Sequence, residues 1–380
     1  MWSKAFPLAA VAFLGAGLLP AQDQPLPQNA VTINLPDNSP LAFLSSTYSD
    51  SRATARGAAM VLDLHMSLTL RNTTPNRIHG VTLRVVTQEA TLGGKGSVTY
   101  PSLNVGPGEA LPVRIDMQLL RPSQAIGGPL VQVDLDGVLF QDLSFFGPDR
   151  LNSRRTLTAC ELEARRDREH FKRVLAQGGV EALAREMRDS LARQAEAGQL
   201  AVAVSRAGRA VTTAAIPEHT EEFAFLQFPD SPVEPLKGSA VLSGNEARAP
   251  RIEVRNRANR AVKYVEMGWI VSDSSGHRYM AGSLPSADRD MTLAPGQTVP
   301  VLQDTTLSFT AKGRPIQLQR MIGFVNQVEF SDGRIWVPNR DSLANTSLLS
   351  VLPPSPEEQR LSDLYRRKGV AALITELSKY

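Results

Sequence analysis

The chain has 380 residues, 42% hydrophobic and 21% charged, with a formal net charge of +3. This is ordinary globular composition, enough for two or three domains at roughly 150 residues each. The charge is too small to mark nucleic acid or an anionic membrane as partner. Cys160 is the only cysteine, so an intramolecular disulfide is excluded. That leaves an intermolecular bridge, a reactive thiol, or simply a small residue in the first turn of a helix.

Residues 1–21 read as a secretory signal peptide. Lys4 supplies the positive start, residues 6–19 the apolar stretch, and Pro20-Ala21 precede the polar Gln22-Asp23-Gln24. The apolar run is shorter than the roughly 20 residues that span a bilayer. No cysteine follows it for lipid attachment, and cleavage would remove Lys4. Export to the periplasm or beyond the cell is expected, with no transmembrane span in the mature chain.

Residues 30–150 carry strand signals. Leu62, Leu64, Met66, Leu68 and Leu70 alternate with Asp63, His65, Ser67 and Thr69, the two-residue period of a strand with one buried face. The same alternation occurs at Val81, Leu83 and Val85, and at Val131, Val133 and Leu135. Turn chemistry separates these runs at Asn72-Thr73-Thr74-Pro75-Asn76, Gly93-Gly94-Lys95-Gly96, Gly106-Pro107-Gly108 and Asp136-Gly137. Short strands at this spacing predict an antiparallel sandwich or barrel. The absence of βαβ alternation argues against a parallel nucleotide-binding sheet.

Over residues 151–197 the period becomes helical. Thr158 with Glu161 reads as a capping box. Val180, Leu183, Met187 and Leu191 form an apolar stripe, expected to cover the preceding sandwich, and Gly178-Gly179 break the segment in two. Arg165, Arg166, Arg168, Lys172 and Arg173 are interleaved with Glu161, Glu163, Asp167 and Glu169. That spacing allows Glu161–Arg165 and Glu169–Arg173 pairs on a solvated helix face. Residues 198–221 form a short, partly apolar linker, so the units are expected to touch. In it Leu200, Val202, Val204, Ala207-Gly208, Val211 and Thr213 predict a hairpin, and Pro217-Glu218-His219 a loop.

The rest of the chain repeats what came before, first as strands over residues 222–340, then as a helical segment over 353–380. Pro36-Asp37-Asn38-Ser39-Pro40 faces Pro229-Asp230-Ser231-Pro232, and Leu70-Arg71-Asn72 faces Val254-Arg255-Asn256. Gly106-Pro107-Gly108 faces Ala294-Pro295-Gly296, and Asp136-Gly137 before Phe140 faces Asp332-Gly333 before Trp336. Phe171, Val174, Leu175, Gly179, Val180, Leu183, Ala184 and Met187 match Leu361, Leu364, Tyr365, Gly369, Val370, Leu373, Ile374 and Leu377 without a gap. Self-similarity of this extent outranks local signals. It defines two units, about 30–197 and about 222–380. Ser355-Pro356-Glu357-Glu358 opens the second helical segment with a cap and a proline suited to the first helical position.

The second unit's Val254-Arg255-Asn256, Asp273-Ser274-Ser275-Gly276 and Leu293-Ala294-Pro295-Gly296 resemble the V-x-N, D-x-x-G and L-x-PG elements of FxLYD-type immunoglobulin-like modules of secreted bacterial proteins. The first unit keeps Leu70-Arg71-Asn72 and Gly106-Pro107-Gly108. It lacks the D-x-x-G, and the F-x-L-Y-D string is absent from both. The resemblance implies a non-catalytic, extracytoplasmic module. The fold class expected is therefore mainly β with α: two duplicated antiparallel β-sandwiches, each followed by a helical segment.

Chemistry is sparse. His65, His79, His170, His219 and His277 show no H-x-x-x-H spacing, and His65 falls on the outward face of its strand. No G-x-S-x-G elbow exists, and Ser97 and Ser283 fall in expected loops beside glycines. Gly93-Gly94-Lys95-Gly96-Ser97 has the wrong spacing for a phosphate loop and reads as a hairpin tip. Glu161 with Glu163, and Asp288, Arg289 and Asp290, read as solvated charge. Trp269 and Trp336 are expected in the core, and Tyr279 there or on an exposed recognition face. No catalytic, cofactor-binding or metal residue is assigned, and no cofactor is expected. The reading is an exported, non-enzymatic binding or scaffolding protein of the cell envelope, with another envelope or extracellular protein as partner. Alternatives are an envelope hydrolase whose site forms only in three dimensions, and a structural spacer.

Overall fold

The computed structural model describes residues 23–380 apart from 28, 90, 92, 124–128, 197–199, 207–217, 286–291, 303–304 and 347. The expected signal peptide and the Asp288-Arg289-Asp290 cluster lie outside the described residues, as does most of the second arm of the expected linker hairpin. The fold is mainly β, with three α-helices among the described residues. None of these helices is long and apolar enough to cross a membrane.

The strands of the first half are β1 (Asp23–Pro25), β2 (Val31–Asn34), β3 (Leu41–Thr47), β4 (Arg52–Arg56) and β5 (Ala59–Asn72). They continue with β6 (Ile78–Val86), β7 (Lys95–Tyr100), β8 (Ala110–Pro122), β9 (Val131–Phe140) and β10 (Phe145–Phe146). Helix α1 (Ser153–Glu196) follows. After it come β11 (Leu200–Arg206), β12 (Glu218–Glu222), β13 (Ala224–Phe225), β14 (Val233–Ser243), β15 (Glu246–Asn256) and β16 (Val262–Asp273). The last strands are β17 (Arg278–Pro285), β18 (Thr298–Leu302), β19 (Thr305–Ala311), β20 (Arg314–Pro315), β21 (Leu318–Phe330) and β22 (Ile335–Trp336). Helices α2 (Arg340–Asn345) and α3 (Pro356–Leu377) close the chain.

These strands form four sheets. The first has the order β1-β4-β5-β3, with β8 also on β5, and the second β10-β9-β6-β7, with β2 on β9. The third has the order β11-β19-β15-β14-β12, with β18 on β15 and β20 on β19. The fourth is β13-β21-β16-β17, with β22 on β21. Almost all pairs are antiparallel, except that β2 joins β9 and β13 joins β21 in parallel. The chain folds into two compact units. One runs up to Thr74 and takes in Leu83–Val98 and Pro107–Leu135; the other holds Pro75–Thr82, Thr99–Gly106 and Asp136–Tyr380.

In the first unit β5 keeps the alternation read from its sequence: Leu62, Leu64, Met66, Leu68 and Leu70 are buried, while Asp63, Ser67 and Arg71 are exposed. In the second unit one core takes Val233, Leu242, Ile252 and Val254 from the third sheet. Val265, Met267, Trp269, Val325 and Val328 join it from the fourth. Trp269 is buried there, 4.8 Å from the Phe223 ring. Trp336 is only half-buried, packed at the margin of this core with its indole Nε1 donating to Asp230 Oδ2 at 3.2 Å. Tyr279 is half-buried too, its hydroxyl 3.1 Å from Asp273 Oδ2.

Several local expectations are corrected. Asp136-Gly137 is not a turn but lies inside β9, where the buried Asp136 carboxylate accepts from Arg150 N at 3.0 Å, Leu151 N at 3.2 Å and the Ser153 hydroxyl. That carboxylate fixes the entry to α1, which starts five residues before Thr158. Thr158 and Glu161 are thus interior helical residues, not a capping box, and Cys160 is not in the first turn. The turn matching Asp332-Gly333 is Asp142-Leu143. Phe140 N bonds Ser144 O at 3.0 Å as Phe330 N bonds Arg334 O at 2.9 Å, so Trp336 corresponds to Phe146 rather than Phe140. Leu200, Val202 and Val204 pair with β19 instead of starting a local hairpin, and Glu218 and His219 belong to β12. Ser97 and Ser283 lie in β7 and β17, not in loops.

The helical segments are kinked at Gly179 (φ 71°, ψ −168°) and Gly369 (φ 78°, ψ 179°), a conformation open in practice only to glycine. Their apolar stripes, expected to cover the preceding sandwich, instead pack on each other, apart from Val180, which is 44% exposed. Phe171, Leu183 and Met187 of α1 form one core with Leu361, Leu373 and Leu377 of α3. Each member's counterpart 190 residues away is in the same core, the reciprocity of a self-complementary contact. Ser355 caps α3 as expected, accepting from Glu358 N at 3.1 Å, with Pro356 leading the helix.

Candidate functional site

Two places hold unusual chemistry: an open sheet edge and a buried ionic network. At the edge, β3 pairs on one side with β5, and among the described residues it has no ladder partner on the other. Its register slips between Phe43 and Ser45, so Leu44 bulges out of the ladder. Phe43 and Leu44 are 46% and 38% exposed, side by side on this edge strand. The second half repeats the device on β14, where the register slips around Leu236, itself 40% exposed. There, however, β12 pairs with residues 239–243 and Phe223 N bonds Gly238 O at 2.8 Å, so that edge is partly occupied.

The ionic network lies around the helix pair. Glu161, Asp167, Arg168, Glu357, Glu358 and Arg340 are all buried. Arg168 bridges the helices, donating to Glu161 Oε1 at 2.8 Å and Glu357 Oε1 at 3.2 Å while its guanidinium stacks 4.1 Å from the Tyr380 ring. Arg340 lies 3.4 Å from Asp167 Oδ1 and 3.0 Å from Glu358 Oε2, and Arg193 also reaches Glu358. Ser355 Oγ donates to Asp167 Oδ2 at 2.6 Å. The expected Glu161–Arg165 pair forms at 2.9 Å, whereas Arg173 faces Asp341 at 3.9 Å. The interleaved charge is thus largely an interior network and not a solvated face.

Burial alone would raise the Glu161 carboxyl, but His79 at 3.0 Å, Arg168 and Arg165 hold it below the usual carboxylate range. Glu163 keeps a sliver of exposed surface, yet protein crowds its carboxyl. Burial, with Asp167 and Glu266 nearby, pushes it up to about 7 against the pull of Arg166. Burial, reinforced by Glu163 and Glu266, pushes the thiol of the partly exposed Cys160 up to about 12, which disfavours the thiolate.

The remaining histidines are scattered. His65 stays on the outward face of β5, 2.9 Å from Asp116 and 3.4 Å from Asp63, and the Asp116 hydrogen bond raises its pKa. His277 sits in the Asp273 turn, whose carboxylate accepts from Ser275 N and His277 N. Gly93 and Gly94 turn the chain between β6 and β7. Among the described residues no three His, Cys, Asp or Glu side chains gather as a metal site.

No family model matches the chain, and no curated protein matches it. Among solved structures, the Northeast Structural Genomics Consortium target SoR45 is 15% identical over 36% of this chain and 78% of its own, with a TM-score of 0.18. A β-glucosidase from Kluyveromyces marxianus is 9% identical over 71% of this chain and 45% of its own, with a TM-score of 0.16. Likenesses this slight carry no argument about fold or activity.

Proposed function

We propose that this is an exported, non-enzymatic binding or scaffolding protein of the cell envelope, built from two repeated immunoglobulin-like sandwich units whose helical segments clasp each other. Matched bonds in the two halves support the repeat. Gly108 N bonds Asn72 O at 2.9 Å as Gly296 N bonds Asn256 O at 3.0 Å, and the Ile78–Val105 bridge has its counterpart in Val262–Leu293. Export rests on the sequence of residues 1–21 alone.

The observation that carries the binding reading is the open edge of β3. An exposed strand edge recruits extended segments through backbone hydrogen bonds, with side-chain contacts adding selectivity. Phe43 and Leu44 supply those contacts, and the partner is another envelope or extracellular protein offering a strand. The test is affinity capture from envelope extract with the full chain and a Phe43→Asp/Leu44→Asp variant. Both residues are exposed, so the variant keeps its fold. A salt-resistant partner held by the wild type and lost by the variant is the expected result; equal capture by both, or by neither, overturns it.

A further inference from the structure

Each kinked helix is spanned at its bend by a polar pair, and at Gly369 Arg360 also donates to the Tyr380 hydroxyl at 3.3 Å. Across Gly179, His170 Nε2 lies 3.1 Å from Glu186 Oε1; across Gly369, Arg360 Nη1 lies 2.7 Å from Glu376 Oε1. The two pairs occupy equivalent places, 190 residues apart in sequence, like the apolar residues beneath them. One brace therefore contains an imidazole, which changes charge between about pH 5 and 8, and the other a guanidinium, which does not.

We propose that the His170–Glu186 contact is a pH-operated latch on the Gly179 bend, closed in acid and loosened toward alkaline pH, while Arg360–Glu376 braces the Gly369 bend at any physiological pH. When protonated, His170 makes a charge-assisted bond to the carboxylate; when neutral, it offers an ordinary and weaker one. The hydrogen bond to His170 is the foremost cause that keeps the Glu186 carboxyl below its usual range, so the carboxylate stays charged across this window.

The other charges facing the pair are fixed. Arg340 of α2 lies 3.5 Å from Glu186, and Arg193 acts on it from the same arm of α1. Arg340 is itself shared with Asp167 and with Glu358 of α3. The Phe171 ring meets His170 edge-on at 5.3 Å and carries no charge. Leu183 and Met187 hold the arm's inner face against α3, so loosening is a local opening of the arm and not release of the helix pair.

Hydrogen exchange on the full chain tests this at about pH 5.5 and about pH 8, with intrinsic exchange rates corrected. Residues 180–195 should lose protection about three- to tenfold at the higher pH, while residues 370–377 should not change. His170→Arg, which copies the second brace, should abolish the difference. Glu186→Gln should leave the arm weakly protected at both values. The proposal fails if both arms respond alike, or if His170→Arg or Glu186→Gln keeps the wild-type response. Glu163→Gln removes the carboxyl of α1 that burial pushes up to about 7 and should keep the wild-type difference between the arms; if it abolishes that difference, the proposal fails.

Discussion

Asn72 and Asn256, both fully buried, close the same turn in the two halves: Asn72 Oδ1 accepts from Thr74 N at 3.0 Å, and Asn256 Oδ1 from Ala258 N at 2.9 Å. Asn256 Nδ2 also donates to Arg260 O at 2.8 Å and Leu293 O at 2.9 Å, tying the end of β15 to the loop before β18. Asn256→Ala removes a side-chain partner from Ala258 N, Arg260 O and Leu293 O, the last of which keeps Val262 N, and should cost about 1–2 kcal/mol, read from denaturant unfolding. Asn256→Asp keeps the acceptor but loses both donors, and should recover little of that.

Arg168→Met should destabilise by about 3 kcal/mol, because it strands two buried carboxylates. The loss stays near the low end for a broken buried pair, since Arg165 also serves Glu161 and Arg360 also serves Glu357. Urea unfolding of the single variant, and of Arg168→Met with Glu161→Gln, checks it. The double variant should recover part of the loss.

Two carboxyls give stability opposite pH slopes. Glu161 titrates lower folded than unfolded, so its contribution is present above the ordinary carboxylate pKa and lost as pH falls through the folded value. Glu163 titrates higher folded, at about 7, so it favours the fold in acid and opposes it increasingly as pH rises from the unfolded value to that point. Glu163→Gln should therefore stabilise by about 1–2 kcal/mol at alkaline pH and hardly at all in acid. Melting temperatures of wild type and variant across the pH range decide it.

Gly179→Ala and Gly369→Ala should each cost about 1–3 kcal/mol from backbone strain alone. Nothing lies within 4 Å of an added Cβ at either position, so no steric clash adds to the loss. Similar losses in the two variants, measured by thermal unfolding, are the expected outcome.

The strands whose one face is buried were legible, as at β5, because a period of two survives any loop variation. So were the glycine breaks and the Ser355 cap, since each is a local rule. The destination of the apolar stripes was not. A stripe specifies that a face is buried, and the partner here is the other copy of the same stripe, over 170 residues away in sequence. The buried ionic network escaped for the same reason: Arg168 looks like surface charge until Glu357 arrives from α3 to share it. Asp136-Gly137 misled because Asp-Gly is common in turns, while this aspartate serves the start of a helix from within a strand. The open edge of β3 was also hidden, for neither a missing ladder partner nor the bulge that exposes Leu44 leaves a mark on periodicity.

The protonated state of Cys160 has a practical consequence. A sole thiol that stays protonated at neutral pH is a poor target for maleimides, oxidants and mercurials. A cysteine introduced at an exposed position such as Leu44 would then take a fluorophore or spin label with the native thiol left in place. Labelling wild type and Leu44→Cys side by side at neutral pH, with the wild type expected to react far more slowly, checks this.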